Sequence, residues 1–354
     1  MYLILIKKKE RLGMQIKELL IEAKEKEASD LHLNVGIPPV LRINGKLIRM
    51  NLPELTPEIT HEIIYSILSE KQKTGFEKFG EYDLSYELIN ISRFRVNIFK
   101  HRRGEGAAFR LIPEKIKTLS ELGLPSILSD FTEKDRGLVL VTGPTGSGKS
   151  TTLAALLDII NKKRYDNIIT IEDPIEFIHS HKNCLVSQRE IGSHTTSFSS
   201  ALRNALREDP DVILVGEMRD LETISMALTA AETGHLVFAT LHTNSAIEAI
   251  NRIIDVFPLY EKQMVRSILA SSLQAVIAQI LVKKKSGGRV AAQEIMICDT
   301  AIRNMIREDK IHQIKSFIQT GKQKGMQTLQ QHLQELLAKN LIEKDICNKV
   351  SKNM

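Results

Sequence analysis

Aromatic residues are scarce in this sequence of 354 residues, which has no tryptophan and only 5% aromatic residues in total. Proteins that bind single-stranded nucleic acids stack the bases on aromatic side chains, and few are available here. The net charge of +6 is mildly basic, but the lysines are spread along the chain, as is usual for a solvated surface. We therefore expect no nucleic-acid partner.

Cysteines and long apolar runs are also scarce. The three cysteines, Cys184, Cys298 and Cys347, form no C-x-x-C pair, which argues against a disulfide framework or a zinc site. No apolar run approaches the ~20 residues of a membrane-spanning helix. At the N-terminus the apolar residues precede the basic ones, the reverse of the order in a secretory signal. These features predict a cytoplasmic protein with free thiols.

The most informative segment is Gly143–Ser150, which matches the phosphate-binding pattern G-x-x-x-x-G-K-[ST] in full. A β-prone run precedes it and a helix-prone run follows it, as this motif requires. Glycines let backbone N–H groups converge on phosphates, and the helix N-terminus adds a partial positive charge. Lys149 is expected to contact the β- and γ-phosphates of ATP, and the Ser150 hydroxyl to hold Mg²⁺. The predicted nucleotide-binding residues are Gly143, Pro144, Thr145, Gly146, Ser147, Gly148, Lys149, Ser150 and Thr151.

Three apolar runs after this loop are each followed by a segment that carries polar residues. They are Ile168–Ile171, Val212–Val215 and Leu236–Ala239. The carboxyl ends of parallel strands face the ligand in doubly wound sheets, so the polar residues should converge on the nucleotide. The predicted catalytic residues from these segments are Glu176, Glu217 and His242.

Their individual roles stay open at this stage. Glu217 is either a carboxylate on the metal side or a base that orients water; the alternative is a charge at a helix N-terminus. Glu176 is favoured over Glu172, although either could be a solvated loop acid. His242 is placed to sense the γ-phosphate, against the alternative of a polar residue at the end of a strand.

The patterns predict an α/β protein with two domains. Residues 14–113 indicate a small α+β domain, with Asn44-Gly45 as a hairpin turn. Residues 114–136 suggest a linker. Residues 137–354 alternate strands and helices, which predicts a parallel sheet followed by a helical C-terminal region. Residues 1–13 are expected to be a dispensable extension or the product of a start site assigned too far upstream.

Several motifs resemble those of the secretion-type hexameric ATPases. They are Gly143–Ser150, Ile171–Phe177, Ala205–Asp211, Gly216–Asp220, and Thr233–His235 with Leu241–Thr243. The segment Ala301–Glu308 is similar to the C-terminal signature of the branch that retracts type IV pili. This segment also has the pattern of an amphipathic helix, with Asp299 and Thr300 as caps and Arg303 and Arg307 on the opposite, solvent side. We expect it to couple ATP hydrolysis to motion, and its two arginines to be dispensable for folding.

The resemblance implies a PAS-like N-terminal domain, a RecA-like ATPase domain and a homohexamer with its sites between subunits. It also implies that arginines of the N-terminal domain reach the phosphates; Arg95 and Arg110 are the best positional matches, ahead of Arg93. The implied partners are an inner-membrane pilus platform protein and a paralogous accessory ATPase. Through its partner, the protein would lie at the inner face of the cytoplasmic membrane.

The predicted function is an ATPase motor that powers pilus retraction and twitching motility. Pilus-extension and type II secretion members usually carry a four-cysteine zinc motif, which this sequence lacks. Three alternatives stay open: a related secretion or extension ATPase, a hexameric nucleic-acid motor, and an ATP-binding switch without turnover. A pure switch would be expected to lose one of Lys149, Glu176, Glu217 or His242, and all four are present.

Overall fold

The computed structural model describes residues 15–352 except 44, 90 and 113–114. The chain divides after Glu114 into two compact units. The expectation for residues 1–13 lies outside the described residues. Within the described ranges no helix is both long and apolar enough to cross a bilayer.

The described residues of the first unit form a six-stranded antiparallel sheet with three helices. The strands lie in the order β3-β2-β1-β6-β5-β4. The strands are β1 Asp30–Asn34, β2 Val40–Ile43, β3 Lys46–Arg49, β4 Glu81–Leu88, β5 Ser92–His101 and β6 Gly104–Ile112, and the helices are α1 Ile16–Glu25, α2 Pro57–Tyr65 and α3 Glu70–Phe79.

Local patterns account for most of this unit. The predicted hairpin is confirmed, since β2 and β3 pair antiparallel from Ile43 opposite Lys46. In β5 the alternating residues Phe94, Val96 and Ile98 are buried, as expected for a strand with one face toward the core. Strand β4 was not predicted. Its apolar residues are only partly buried and its charged residues are exposed. Two helices, α2 and α3, lie between β3 and β4 in the chain.

The second unit is a seven-stranded sheet in the order β13-β12-β7-β11-β10-β8-β9. The strands are β7 Gly137–Thr142, β8 Asn167–Glu172, β9 Leu185–Glu190, β10 Val212–Val215, β11 Leu236–Leu241, β12 Leu273–Lys283 and β13 Arg289–Ile297. The helices are α4 Lys149–Lys163, α5 Phe198–Ala205, α6 Leu221–Glu232, α7 Ala246–Asp255, α8 Lys262–Ser272, α9 Thr300–Arg307, α10 Ile314–Thr320, α11 Leu329–Ala338 and α12 Lys344–Lys352. Short 3₁₀ helices span Ser126–Glu133, Ile311–Gln313 and Gly321–Lys324.

The central strands β7, β8, β10 and β11 are parallel neighbours. Strand β10 is buried at every position, as expected for a parallel sheet covered on both faces. Strand β13 pairs antiparallel with β12 at the edge. The carboxyl ends of the central strands therefore meet along one edge of the sheet, which positions the polar segments that follow them.

The segment predicted as a linker differs from that expectation. From Lys115 it belongs to the second unit, and Leu119, Leu124, Leu128 and Phe131 are buried in the core cluster of that unit. Its proline and charges suggested a solvated connection, but apolar residues between them supply a packed face.

Candidate nucleotide site

The site is built on the loop between β7 and α4. Gly143 has a φ of 141°, and a Cβ there would lie 2.2 Å from the carbonyl oxygen of Gln279, so only glycine fits. Gly148 is the N-cap of α4 with a left-handed φ of 87°. The predicted strand, loop and helix are present. A glycine-rich loop that leads from a buried strand into a helix N-terminus is the arrangement that binds phosphate.

Lys149 lies at the start of α4 and folds back over the loop. Its Nζ donates to the carbonyl oxygens of Gly143 at 2.7 Å and Pro144 at 3.2 Å. Burial lowers the pKa of Lys149, while the negative charges of Glu217 and Glu176 oppose that shift. The structure therefore brings the two predicted acids within electrostatic range of the lysine, although they lie on different strand ends.

Glu217 follows β10 and makes a bidentate ion pair with Arg219. Its Oε1 lies 2.6 Å from Nε of Arg219, and its Oε2 accepts from Nη2 at 2.7 Å. His242 Nε2 is 3.3 Å from Oε1. Burial would raise the pKa of Glu217, but the hydrogen bonds and charges of Arg219 and His242 outweigh burial and hold this pKa below its ordinary value. Glu217 is therefore an ionised carboxylate whose oxygens both have partners.

Gly216 separates β10 from Glu217 because of close packing against β8. Its N–H donates to the Ile171 carbonyl at 2.7 Å, and a Cβ would lie 3.0 Å from that same oxygen. The residue inserted before the acid is thus a packing requirement of the strand end.

Glu172 and Glu176 have different environments. Glu172 accepts from Thr170 Oγ1 at 2.6 Å and from Gln188 Nε2 at 3.1 Å, and burial raises its pKa. Glu176 is exposed, and within the described ranges its carboxylate makes no hydrogen bond or ion pair. Glu172 is therefore engaged in the protein interior, whereas the carboxylate of Glu176 is free to meet a ligand.

The residues present fit a Mg²⁺ ion that is held mainly by a nucleotide. No cluster of three or more histidine, cysteine, aspartate or glutamate side chains forms among the described residues. Mg²⁺ in nucleotide sites takes one or two protein oxygens plus phosphates and water. Ser150 at the start of α4 and Glu217 would supply those oxygens.

The two predicted arginines lie in the first unit, where Arg95 on β5 is directly opposite Arg110 on β6. Both side chains are exposed. Arg110 Nε is 2.9 Å from Oδ1 of Asp30, and Arg42 Nε is 3.7 Å from Oδ2 of the same buried carboxylate. Asp30 therefore offsets the repulsion between like charges that a row of arginines would create.

Sequence reasoning missed the roles of Asp30, Arg42 and Gln279, and left Arg219 without a role. For Asp30 and Arg42 the signal is the two-residue alternation of their strands, which places them on the face of Arg110. Gln279 lies more than 130 residues from Ser147, whose carbonyl it contacts, so no local pattern could reveal it.

The parallel sheet, the loop at the end of β7 and the acids at neighbouring strand ends define a P-loop nucleotide-binding protein. Similarity to known proteins identifies the family within this class. The family described as "Type II/IV secretion system protein" matches residues 7–352, a range that starts inside the stretch 1–13. The chain belongs to this family.

Relatives in the family are similar over nearly the whole chain. The type IV pilus retraction ATPase PilT of Pseudomonas aeruginosa is 59% identical over 94% of this chain and 96% of that protein. A twitching motility protein of Neisseria gonorrhoeae is 54% identical over 89% of this chain and 84% of its own length. The crystal structure of the pilus retraction motor PilT with bound ADP superposes with a TM-score of 0.89 at 49% identity, covering 94% and 96% of the two chains.

Proposed function

We propose that this protein is an ATPase motor that powers type IV pilus retraction and twitching motility. The observation that carries the proposal is that Glu176 and Glu217, which follow two different strands, both lie near enough to Lys149 of the P-loop for their charges to act on it. A site for nucleotide binding alone needs the loop and the lysine, whereas hydrolysis also needs acids at the γ-phosphate. The similarity to the retraction ATPase, over nearly its full length, supplies the biological role.

We propose separate tasks for the two acids. Arg219 and His242 keep Glu217 ionised. Its Oε2 accepts from Arg219 and has a second lone pair, which would face the metal side. Glu176 is exposed and its carboxylate is unpaired among the described residues, so we assign it the task of orienting the attacking water. Lys149 would exchange its contacts with the loop carbonyls for contacts with phosphate oxygens. A Mg²⁺ ion bound by Ser150 and Glu217 would supply charge neutralisation at the phosphates.

We further propose that the protein works as a homohexamer in which Arg95 and Arg110 of one subunit reach the nucleotide of its neighbour. A guanidinium beside the γ-phosphate stabilises the charge of the transition state. The proposed partners are an inner-membrane pilus platform protein and a paralogous accessory ATPase, with the motor at the cytoplasmic face of that membrane. No nucleic acid is expected to take part.

Steady-state ATPase measurements on the purified protein test the assignment. Lys149→Ala should abolish hydrolysis, and Glu176→Gln should lower kcat by ~10²-fold or more while ADP still binds. Glu172→Gln, at the neighbouring acid with its own partners, is the matched control. A Glu176→Gln rate within twofold of wild type would remove Glu176 from the reaction.

The arrangement between subunits is tested by mixing inactive variants. Lys149→Ala subunits mixed with Arg95→Ala subunits should recover activity, because some interfaces then combine an intact loop with an intact arginine. Full activity of a monomer at nanomolar concentration would contradict a shared site. Stimulation by single-stranded DNA would instead favour the nucleic-acid motor, and tight ATP binding without turnover would favour the switch.

A further inference from the structure

A chain of buried amide side chains connects the P-loop to the C-terminal helix α11. Gln279 on β12 is 2% exposed and Gln293 on β13 is fully buried. Gln279 Nε2 donates to the Ser147 carbonyl at 2.8 Å, and its Oε1 accepts from Thr152 Oγ1 at 2.9 Å. The same Oε1 accepts from Gln293 Nε2 at 3.0 Å.

The contact with the Ser147 carbonyl determines the direction of the next N–H donor in the loop, that of Gly148. A trans peptide is planar, so its C=O and N–H groups point in opposite directions. Holding the Ser147 carbonyl back toward β12 therefore turns the N–H of Gly148 away from β12. That N–H belongs to the N-cap of α4, where a phosphate would bind. Gln279 is thus a positioning residue for a phosphate-binding donor.

Gln293, the member of this hydrogen-bonded series farther from the P-loop, is held by α11 and by the residues before it. The backbone N–H of Gln293 donates to Nδ1 of His332 at 2.9 Å. The Gln293 carbonyl accepts from Gln327 Nε2 at 3.0 Å. His332 is 4% exposed, and its acceptor role at Nδ1 places the proton on Nε2.

An open cavity of about 430 Å³ lies beside α11 and is lined in part by His332, Glu335 and Lys339. His332 therefore lies between this cavity and its buried contact with Gln293.

We propose that the chain His332–Gln293–Gln279 couples the position of helix α11 to the orientation of the P-loop, so that a change at the C-terminal helix alters nucleotide affinity. Buried hydrogen bonds of this kind are strongly coupled because each leaves an unpaired group when it breaks. The proposal concerns the nucleotide site itself and is independent of the pilus as the target of the motor.

The test is a double-mutant cycle on the Kd for a fluorescent ADP analogue in the full-length protein. His332→Leu should raise the Kd by about threefold or more, a coupling typical of residues in one network. Gln279→Met should also raise it, and adding His332→Leu to Gln279→Met should produce little further change. His332→Asn keeps an acceptor near the position of Nδ1 and should restore affinity.

Leu333→Ala is the matched control, because it removes apolar packing from the same helix and leaves the hydrogen bonds of His332, Gln293 and Gln279 in place. It should lower the melting temperature and leave the Kd unchanged. An equal rise in Kd for Leu333→Ala, or independent effects of His332→Leu and Gln279→Met, would overturn the proposal. If His332→Leu does not fold, Gln327→Met removes only the bond to the Gln293 carbonyl and permits the same comparison.

Discussion

Arg303 on helix α9 should be a structural residue whose loss destabilises the second unit. The sequence placed it on the solvent side of an amphipathic helix, together with Arg307, and predicted that both were dispensable for folding. The helix, its Asp299 cap and its buried stripe are confirmed. The structure contradicts the expectation for Arg303: its Nη1 donates to the carbonyl oxygens of Ala270 and Ser271, both at 2.6 Å.

These two carbonyls belong to the last turn of α8, which ends at Ser272. They have no partner within the helix, and a positive charge there also interacts favourably with the helix dipole. Hydrogen bonds to charged groups contribute about 1.5–3 kcal/mol each when buried. Because Arg303 is half-buried, we expect its two hydrogen bonds together to contribute about 2–3 kcal/mol to the free energy of unfolding. In a unit of this size that corresponds to a fall in melting temperature of about 5–10 °C.

Thermal unfolding of Arg303→Ala, followed by calorimetry, measures this loss. Arg307→Ala is the matched control, since Arg307 is exposed and, among the described residues, donates only to Asn304 on its own helix. Arg303→Lys, which lacks the forked donor, should fall between the two. Equal melting temperatures for Arg303→Ala and Arg307→Ala would refute the capping role. A role of α9 in coupling is then best tested in cells with Arg307→Ala.

Two further predictions concern stability and the loop. Burial lowers the pKa of His179 from 6.5 to about 4. Its contribution to stability is therefore fully present above pH 6.5 and is lost as the pH falls toward 4. Over that range the free energy of unfolding should fall by about 3 kcal/mol. Urea unfolding at several pH values should show a flatter acid dependence for His179→Gln than for wild type, and an identical dependence would exclude His179 as the cause. Gly143→Ala should abolish ADP binding because its Cβ would lie 2.2 Å from a backbone oxygen of β12. Gly146→Ala, with no atom within 4 Å of the added Cβ, should keep the fold and lose less affinity; equal losses in calorimetric titration would argue against this steric explanation.

The sequence by itself determined the features that depend on neighbours along the chain. The phosphate-binding loop, the hairpin at Gly45 and the capped helix α9 each follow from residues fewer than ten positions apart. The parallel sheet follows from the alternation of apolar runs with helical segments. Those patterns were sufficient to place Lys149, Glu217 and His242 at one edge of the sheet.

Only the tertiary structure decided which polar groups are already occupied. Glu172 ends β8 and Glu176 lies four residues beyond it. Gln188 from the neighbouring strand engages Glu172, whereas the carboxylate of Glu176 makes no hydrogen bond or ion pair among the described residues. Arg303 and Arg307 look alike on a helical projection, but only Arg303 reaches the end of α8. Gln279 meets Ser147 because β12 lies beside β7 in the sheet. Such contacts join residues far apart in the chain, and their partners are set by how the strands and helices pack, which no local pattern encodes.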